Sequence, residues 1–305
     1  MTDHDHSLQA VPPLRAILLG AGRRPNVLPE AERLRPIIAR HARIVAEDFT
    51  GTADVSKHEA DLAIVLGGDG AILRAAHQMG HRQLPVVAVN LGRLGFLADL
   101  TPAELPEVLR DFATGRLRRL DHLMIECSVI RASTDGDAGT DAEPQRLCRH
   151  LGLNEVVIWS GPTFSMMEMD LYVDSELVTT YSCDGLILST PVGSTAHSLS
   201  AGGPILRKEL QAVVICPISP HTLTNRPVVD SADRVYEMVV ARPNVGTSVV
   251  LDGHVICSLQ PGDRVRVTRA EPRFQLVAAP GHSYYRTLRE KLGWGGRLQL
   301  NDHDQ

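Results

Sequence analysis

The sequence predicts two domains, an α/β domain built on a parallel sheet and a second domain made only of β-strands. Between residues 14 and 120, short apolar strand patterns alternate with helix patterns, which is typical of βαβ units. From about residue 123 onward, short runs of alternating polarity take over, with turn residues between them. The length agrees with this division, because 305 residues exceed what one hydrophobic core usually serves.

The elements of the first domain follow from its apolar runs and its helix signals. Strands are predicted at residues 15–19, 42–46, 61–66 and 85–90. Helices are predicted at about residues 29–40, 71–79 and 101–112. The third helix rests on Thr101, Pro102 and Glu104, which are typical of an N-cap, a first helical position and an early carboxylate. This order of elements predicts βαβ units.

The second domain is predicted from short strands alone. They lie at residues 123–130, 169–174, 177–181, 235–241, 248–251, 264–268 and 274–278. Asp252 and Gly253 form the pair that is typical of a tight hairpin. Residues 134–143 contain little to bury, so we expect a mobile excursion between strands there.

The limits of the domains follow from these elements. The polar start of the chain predicts a disordered tail at residues 1–13. The α/β domain is then predicted at residues 14–122 and the all-β domain at residues 123–280. The helical spacing after residue 284 predicts a C-terminal helix and tail at residues 281–305 that return to the first domain.

Composition and charge exclude several classes of function. The formal charge of −5 and the aromatic content of 4% argue against a nucleic-acid-binding surface. No apolar run approaches the roughly 20 residues that span a bilayer, and the acidic start is unlike a signal peptide. The five cysteines lack a CxxC pair, and the 13 histidines show no metal-ligand spacing. We therefore expect a cytoplasmic protein with reduced thiols and no metal site of its own.

The most informative stretch is Gly67-Gly68-Asp69-Gly70, where a buried strand is followed by a helix. Glycines let the backbone approach a ligand closely, and the N–H groups at a helix start are a natural site for phosphate. A carboxylate beside phosphates is unfavourable unless it takes up a proton or helps to hold a cation. A kinase needs such a group at the acceptor hydroxyl. The alternative is a tight βα turn in which Asp69 only caps the helix.

A second unusual segment, residues 189–204, is rich in serine, threonine and glycine. It follows a strand pattern that begins at Asp184-Gly185, and its many donors and acceptors suit a polar ligand such as a ribose or a base edge. Asn154 and Glu155 precede another strand, and an amide beside a carboxylate can bind paired ribose hydroxyls. The alternatives are a plain loop for the first segment and a capped strand end for the second.

Five short segments follow one another along the chain. They are GGDG at residues 67–70, Asn90-Leu-Gly92-Arg-Leu-Gly95-Phe-Leu97, Leu153-Asn154-Glu155, Asp184-Gly185-Leu, and TPVGSTAHSLSAGGP at residues 190–204. In this combination the chain resembles the NAD kinases from about residue 14 to residue 285. The GGDG element alone is shared with lipid kinases and phosphofructokinases, so the resemblance depends on the combination.

The resemblance implies a Rossmann-like α/β domain of the GGDG kinase type and a β-sandwich domain, with NAD held between them. It also implies an enzyme that phosphorylates the 2′-hydroxyl of the adenosine ribose of NAD, giving NADP. The donor would be ATP or another phosphoryl donor, and Mg²⁺ or another divalent cation would arrive with the donor phosphates. The family further suggests a homodimer or a homotetramer.

The resemblance assigns roles to particular residues. Asp69 is implied as the base or positioning group at the 2′-hydroxyl. The residues implied to bind nucleotide or donor phosphates are Gly67, Gly68, Gly70, Arg74, Asn154, Glu155, Asp184, Thr195, Ala196 and Ser200. Arg74 would face the phosphates, and Asn154 and Glu155 would hold the nucleotide. The last four would line the base and ribose pockets.

The chain departs from the family pattern at several positions, and two other functions stay open. The departures are Ala71, Ser165, Ser182, Val192, His197 and His254. Ala71 removes a possible phosphate-binding hydroxyl, and His197 replaces a tyrosine in one wall of the nucleotide pocket. The first alternative is a lipid or sphingoid kinase that shares the GGDG turn. The second is a non-catalytic protein that senses NAD(P).

Overall fold

The computed structural model describes residues 14–92, 94–131, 145–161, 166–222, 225–278, 281 and 283–293. The predicted tail at 1–13 and the predicted excursion at 134–143 lie outside these residues, as does Ser165. Within them the chain forms two compact units. Unit 1 contains residues 14–72, 84–118 and 277–293, and unit 2 contains residues 73–83 and 119–276. The units differ from the predicted domains mainly because residues 73–83 belong to unit 2.

Unit 1 contains four parallel strands. They are β1 Leu14–Gly20, β2 Ala42–Asp48, β3 Leu62–Leu66 and β4 Val86–Val89. Their order is β2-β1-β3-β4, with Ala16 opposite Leu62 and Ala63 opposite Val86. Every residue of β3 and β4 is buried, as expected for parallel strands that are covered on both faces. The predicted parallel sheet is confirmed.

Five α-helices lie in the described part of the chain. They are α1 Val27–Ile38, α2 Asp69–Met79, α3 Leu105–Ala113, α4 His197–Ser200 and α5 Tyr284–Leu292. The helix α2 begins two residues before its predicted start, so Asp69 and Gly70 belong to its first turn. None of the helices within the described ranges is long and apolar enough to cross a membrane.

The predicted start of α3 at Thr101 is wrong. The N–H and the hydroxyl of Thr101 both donate to Glu104 Oε2, at 2.7 and 2.6 Å, and close a turn before the helix. The helix begins four residues later, at Leu105, and the proline near its start is Pro106 rather than Pro102. The pattern that predicted a helix start is therefore used in a local turn, a common alternative for threonine side chains.

The core of unit 1 is formed by the sheet together with α1 and α3. Leu34 and Ile38 of α1 and Leu105 and Leu109 of α3 are fully buried in one cluster with alternate residues of the strands. A spacing of four residues places both members of each pair on the same helix face. The carboxyl end of β3, where Gly67 follows, is therefore anchored by packed elements.

Unit 2 is built on two antiparallel sheets of six strands each. The strands after β4 are β5 Arg119–His122, β6 Ile125–Arg131, β7 Gln145–Gly152, β8 Glu155–Trp159, β9 Met167–Val173, β10 Glu176–Cys183, β11 Gly185–Ser189, β12 Ala212–Ile218, β13 Val228–Ser231, β14 Tyr236–Val239, β15 Ser248–Leu251, β16 His254–Ser258, β17 Arg264–Arg269 and β18 Phe274–Val277. One sheet has the order β10-β9-β14-β17-β6-β7, and the other has the order β13-β12-β11-β8-β15-β16. The strands β5 and β18 lie side by side.

The two sheets share one apolar core, which confirms the predicted β-sandwich. Val129 of β6 and Val156 of β8 belong to different sheets, and both lie in this core. The neighbouring Val157, with Ile187 of β11, packs instead with Leu206 in a separate cluster. Because successive side chains of a strand point to opposite faces, Leu206 covers the outer face of β8 and β11.

Candidate active site

The glycine turn after β3 is open to approach from outside. Gly67 has a φ of +145°, which side chains rarely adopt, so this position requires glycine. Gly68 and Gly70 have no positive φ, and a Cβ built on either would meet no atom of the described residues within 4 Å. Packing therefore does not explain glycine at these two positions, and the open space beside them would admit a ligand. The first-turn N–H groups of α2 begin at the same place.

Asp69 is held by the backbone of a neighbouring loop. Its Oδ2 accepts a hydrogen bond from the Phe96 N–H at 2.8 Å. Its Oδ1 accepts from the Leu97 and Ala98 N–H groups at 2.9 and 3.1 Å. A carboxylate offers about four acceptor positions, so the described residues leave one of them, on Oδ2, for a ligand. The interpretation of Asp69 as a cap of its own helix is wrong, because its bonds go to this loop.

Gly95 allows the loop to reach Asp69. A Cβ at this position would collide with Asp69 Oδ1, and it would also lie 3.0 Å from the Ala98 carbonyl oxygen. The Gly95 N–H donates to that carbonyl at 3.1 Å and closes a tight turn. The second glycine in the segment at residues 90–97 is therefore explained by the carboxylate that it accommodates.

In unit 2, one buried carboxylate, that of Asp252, holds the backbone at the start of β8. Its Oδ2 accepts from the Leu153 N–H at 2.7 Å. Its Oδ1 accepts from the Asn154 and Glu155 N–H groups at 2.7 and 3.0 Å. His77 Nε2 supplies a further bond to Oδ2 at 2.8 Å. The predicted hairpin at Asp252 is present between β15 and β16, and its side chain also organises the turn that carries Asn154.

The segment rich in serine, threonine and glycine is joined to the same turn. The Thr190 N–H donates to the Asn154 carbonyl at 2.8 Å, and the Thr190 hydroxyl donates to the Leu153 carbonyl at 2.6 Å. Gly193 packs so closely on the Asn154 carbonyl that a Cβ there would collide with it. The structure therefore brings together two segments that are some 35 residues apart in the sequence.

Glu155 is a buried acid with an unpaired oxygen. The residue is 6% exposed, and its Oε2 has no hydrogen-bond partner in the described part of the protein. Burial, and to a smaller extent the negative charge of Asp252, raises the pKa of the Glu155 carboxyl to about 8. The group therefore carries a proton at neutral pH. A hydroxyl of a ligand would satisfy the unpaired oxygen.

Comparison with known proteins identifies the family. A model of the ATP-NAD kinase N-terminal domain matches residues 25–117, and a model of the ATP-NAD kinase C-terminal domain matches residues 153–279. An NAD kinase of Rhodopirellula baltica is 51% identical to this chain, over 94% of the chain and 89% of that protein. The chain belongs to the NAD kinase family. The resemblance inferred from the sequence is confirmed.

Other members of the NAD kinase family and two solved structures agree. An NAD kinase of Geobacter sulfurreducens is 39% identical over 88% of this chain and 91% of its own length. The crystal structure of yeast NADH kinase complexed with NADH matches with a TM-score of 0.81 at 22% identity, covering 95% of this chain and 91% of that chain. The crystal structure of an NAD kinase from Archaeoglobus fulgidus in complex with ATP matches with a TM-score of 0.70 at 22% identity. The match covers 92% of this chain and 98% of that chain. These two structures confirm the fold.

Four site residues implied by the NAD kinase resemblance lie on or beside helical elements. Arg74 is half-buried on α2. Thr195 and Ala196 are half-buried at the end of a single 3-10 turn, and Ser200 is exposed at the end of α4. Their roles in nucleotide binding stay predictions.

Asp184 is not brought next to Asn154. It precedes β11, whereas Ser189, at the other end of that strand, pairs with Glu155. The length of β11, roughly 16 Å at the usual rise per residue, separates the two ends. If both residues bind one nucleotide, Asp184 would therefore meet a different part of that ligand from the part that meets Asn154.

Sequence reasoning did not find the organising role of Asp252 or the contribution of His77. Asp252 was predicted only as part of a hairpin, because its backbone partners lie 97 to 99 residues away in the sequence. The Asp-Gly pair is itself typical of a tight hairpin, so the sequence contained no separate signal for the second role of this side chain. His77 carried no signal either.

The buried acid predicts that the stability of this protein depends on pH. The folded pKa of Glu155, about 8, lies above its ordinary value of 4.5, so the native state binds one more proton than the unfolded state between these values. We expect the free energy of unfolding to fall as pH rises through this window. In Glu155→Gln this fall in the free energy of unfolding should disappear, as measured by urea unfolding at about pH 5 and about pH 8. An equal change in the free energy of unfolding between the two pH values in parent and variant would contradict a neutral, buried Glu155 carboxyl.

Proposed function

We propose that this protein transfers the γ-phosphoryl group of ATP to the 2′-hydroxyl of the adenosine ribose of NAD, giving NADP. The observation that carries this proposal is the carboxylate of Asp69, which three backbone N–H groups hold beside an open glycine turn. Membership of the NAD kinase family supports the same reaction.

The geometry suits Asp69 to orient the acceptor hydroxyl. The three N–H groups restrain the side chain, and the remaining acceptor position on Oδ2 can receive a hydrogen bond from the hydroxyl. Phosphoryl transfer offers little covalent chemistry to the protein, so orientation of the attacking group is a main contribution. The same contact lets the carboxylate accept the proton as the hydroxyl attacks. Both proposed roles, base and positioning group, thus belong to Oδ2.

We place the donor phosphates at the glycine turn. The dipole and the first N–H groups of α2 favour anions, and the open space in front of Gly68 and Gly70 admits them. Arg74 is the cation proposed to face these phosphates. Mg²⁺ or another divalent cation would screen the charge between phosphate and Asp69. The described residues include no group of three or more His, Cys, Asp or Glu placed to hold a metal, so phosphate oxygens would supply most of its ligands.

We assign the binding of ribose hydroxyls to Asn154 and Glu155. The side-chain amide of Asn154 makes no hydrogen bond to any described residue, and Glu155 Oε2 is buried without a partner. A ribose diol can donate to and accept from both groups. The proposed lining of the base and ribose pockets is Asp184, Thr195, Ala196 and Ser200.

The two alternative functions have less support. A lipid acceptor needs an apolar groove, whereas the turn at Asn154 presents an amide, a carboxyl and the hydroxyl-rich segment that begins at Thr190. A protein that only senses NAD(P) has no need for a restrained carboxylate with an open acceptor position, as Asp69 has.

We also propose a cytoplasmic homodimer or homotetramer. All five cysteines are free, as expected in a reducing compartment. Assembly is inferred from the family resemblance, and light scattering during size-exclusion chromatography would measure it.

A coupled assay for NADP tests the function. The purified protein is incubated with NAD, ATP and Mg²⁺, and NADP is detected with an NADP-specific dehydrogenase. We expect NADP to form only when NAD and ATP are both present, and less of it when Mg²⁺ is chelated. A donor panel of other triphosphates and polyphosphate, with NADH as a second acceptor, defines the specificity. Binding of NAD without turnover on any donor would favour a sensor, and phosphorylation of a sphingoid base would favour a lipid kinase.

A further inference from the structure

The carboxylate of Asp252 has no capacity left for a ligand. Its Oδ1 accepts from the N–H groups of Asn154 and Glu155, and its Oδ2 accepts from Leu153 N–H and from His77 Nε2. A carboxylate offers about four acceptor positions, and these four bonds fill them. Asp252 can therefore influence a bound nucleotide only through the groups that it holds.

The hairpin by itself does not require a charged residue at this position. The side chain of Asp252 is 0% exposed, and its backbone has a φ of +46°, a left-handed conformation that aspartate adopts more readily than most residues with a Cβ. Asparagine before glycine forms the same type of turn and carries no charge. Three successive backbone N–H groups directed at one point form an anion-binding concavity, and a buried carboxylate matches it. The charge at Asp252 thus matches the three backbone donors of residues 153–155.

His77 restrains the same carboxylate from another side. It lies in the part of α2 that belongs to unit 2, and its Nε2 bonds Asp252 Oδ2 at 2.8 Å. An ionised carboxylate only accepts, so Nε2 is the nitrogen that carries the proton. The ring of His254 lies edge-on to the ring of His77, with 6.4 Å between their centroids.

We propose that Asp252, restrained by His77, is a positioning residue for NAD. It fixes the backbone of residues 153–155 so that the side chains of Asn154 and Glu155 meet the nucleotide. This inference rests on the proposed function, which gives those two side chains their ligand. Loss of the carboxylate would leave backbone donors unpaired and let the turn move, so NAD would bind less tightly.

The test uses Asp252→Asn in the full-length protein, with Asp263→Asn as the matched control. Asp263 is also a buried turn carboxylate in unit 2, and it accepts from Arg131 and from the Gln260 N–H. Both substitutions should lower Tm. In Asp252→Asn alone, KM and Kd for NAD should rise roughly tenfold or more, with kcat changed much less, as expected when ground-state binding is lost. In the control both constants should stay within about twofold of the parent.

A pair of histidine variants supplies the second measurement. His77→Leu removes the fourth bond to Asp252 and should raise KM for NAD, whereas His77→Gln can donate an amide N–H and should restore it in part. Unchanged Kd and KM for NAD in a folded Asp252→Asn variant would overturn the proposal. If that variant does not fold, equal KM values for NAD in the two His77 variants would overturn it instead.

A failure of this proposal can be distinguished from a failure of the proposed function. Calorimetry measures Kd for NAD without turnover, so it reports on Asp252 even if the parent protein forms no NADP. A parent that binds NAD without phosphorylating it would refute the proposed reaction. The Kd values for NAD of the parent, Asp252→Asn and Asp263→Asn would still decide whether Asp252 positions the nucleotide.

Discussion

Replacement of Asp69 by asparagine is expected to lower kcat by roughly 10²–10⁴-fold, the usual range for loss of a general base. The amide oxygen can still accept from Leu97 and Ala98, but the amide NH₂ then faces the Phe96 N–H and offers no acceptor to the 2′-hydroxyl. KM for NAD should change much less, because the proposed nucleotide contacts are made elsewhere. Initial rates of NADP formation at saturating NAD and ATP measure the effect.

The same substitution should also cost stability, about 1–3 kcal/mol for a partly buried donor that loses its partner. Asp48→Asn is the matched control in unit 1. The Asp48 carboxylate accepts from the N–H groups of Thr50 and Gly51 at 3.0 and 2.9 Å, so it too restrains a loop. The control should lose a comparable amount of stability and keep kcat. A kcat for Asp69→Asn within about threefold of the parent would remove Asp69 from the mechanism.

Asn154→Ala is expected to raise KM for NAD roughly 5- to 150-fold and to leave kcat almost unchanged. The range corresponds to about 1–3 kcal/mol for a polar group of the ligand left without its partner. A contact that is equally strong in the ground state and the transition state affects KM alone. The folded structure should tolerate the change, because the bonds of Asn154 to Asp252 and Thr190 use its backbone.

The matched control for this prediction is Asn244→Ala. Asn244 is half-buried in unit 2, like Asn154, and its backbone carbonyl likewise accepts a hydrogen bond, from the Thr247 N–H. Both kinetic constants should be preserved in the control. A fall in kcat at constant KM would place Asn154 at the reacting hydroxyl. No change in either constant would restore its interpretation as a plain strand end.

Much of the fold could be predicted because it rests on local patterns. The strand β3 is a buried run of five apolar residues that leads into the glycine turn, and helix α2 follows with regular spacing. Element limits were less predictable. The side chain of Thr101 can bond Glu104 either at a helix start or in a separate turn, and the local sequence is the same in both cases.

The candidate site was predictable only in part. Asp69 and Asn154 are polar residues at the ends of buried strands, and such positions stand out in a sequence. The buried, neutral state of Glu155 depends on how much of the fold surrounds it, which the sequence does not display. Gly95 was part of the recognised segment, but the carboxylate that makes it necessary lies 26 positions earlier, across a loop.

By itself the sequence determined the two-domain class and the glycine turn, because residues close together in the chain encode both, and it determined the family through the order of five short segments. Only the tertiary structure decided what its two central aspartates can do. Asp69 receives three donors from residues 27 to 29 positions away and keeps one acceptor position. Asp252 receives four, three of them from 97 to 99 positions away, and keeps none. The two side chains are chemically identical, so the difference comes from the number of donors that folding brings within hydrogen-bond distance. With three donors, Asp69 can still accept a hydrogen bond from a ligand. With four, Asp252 can only hold the groups around it.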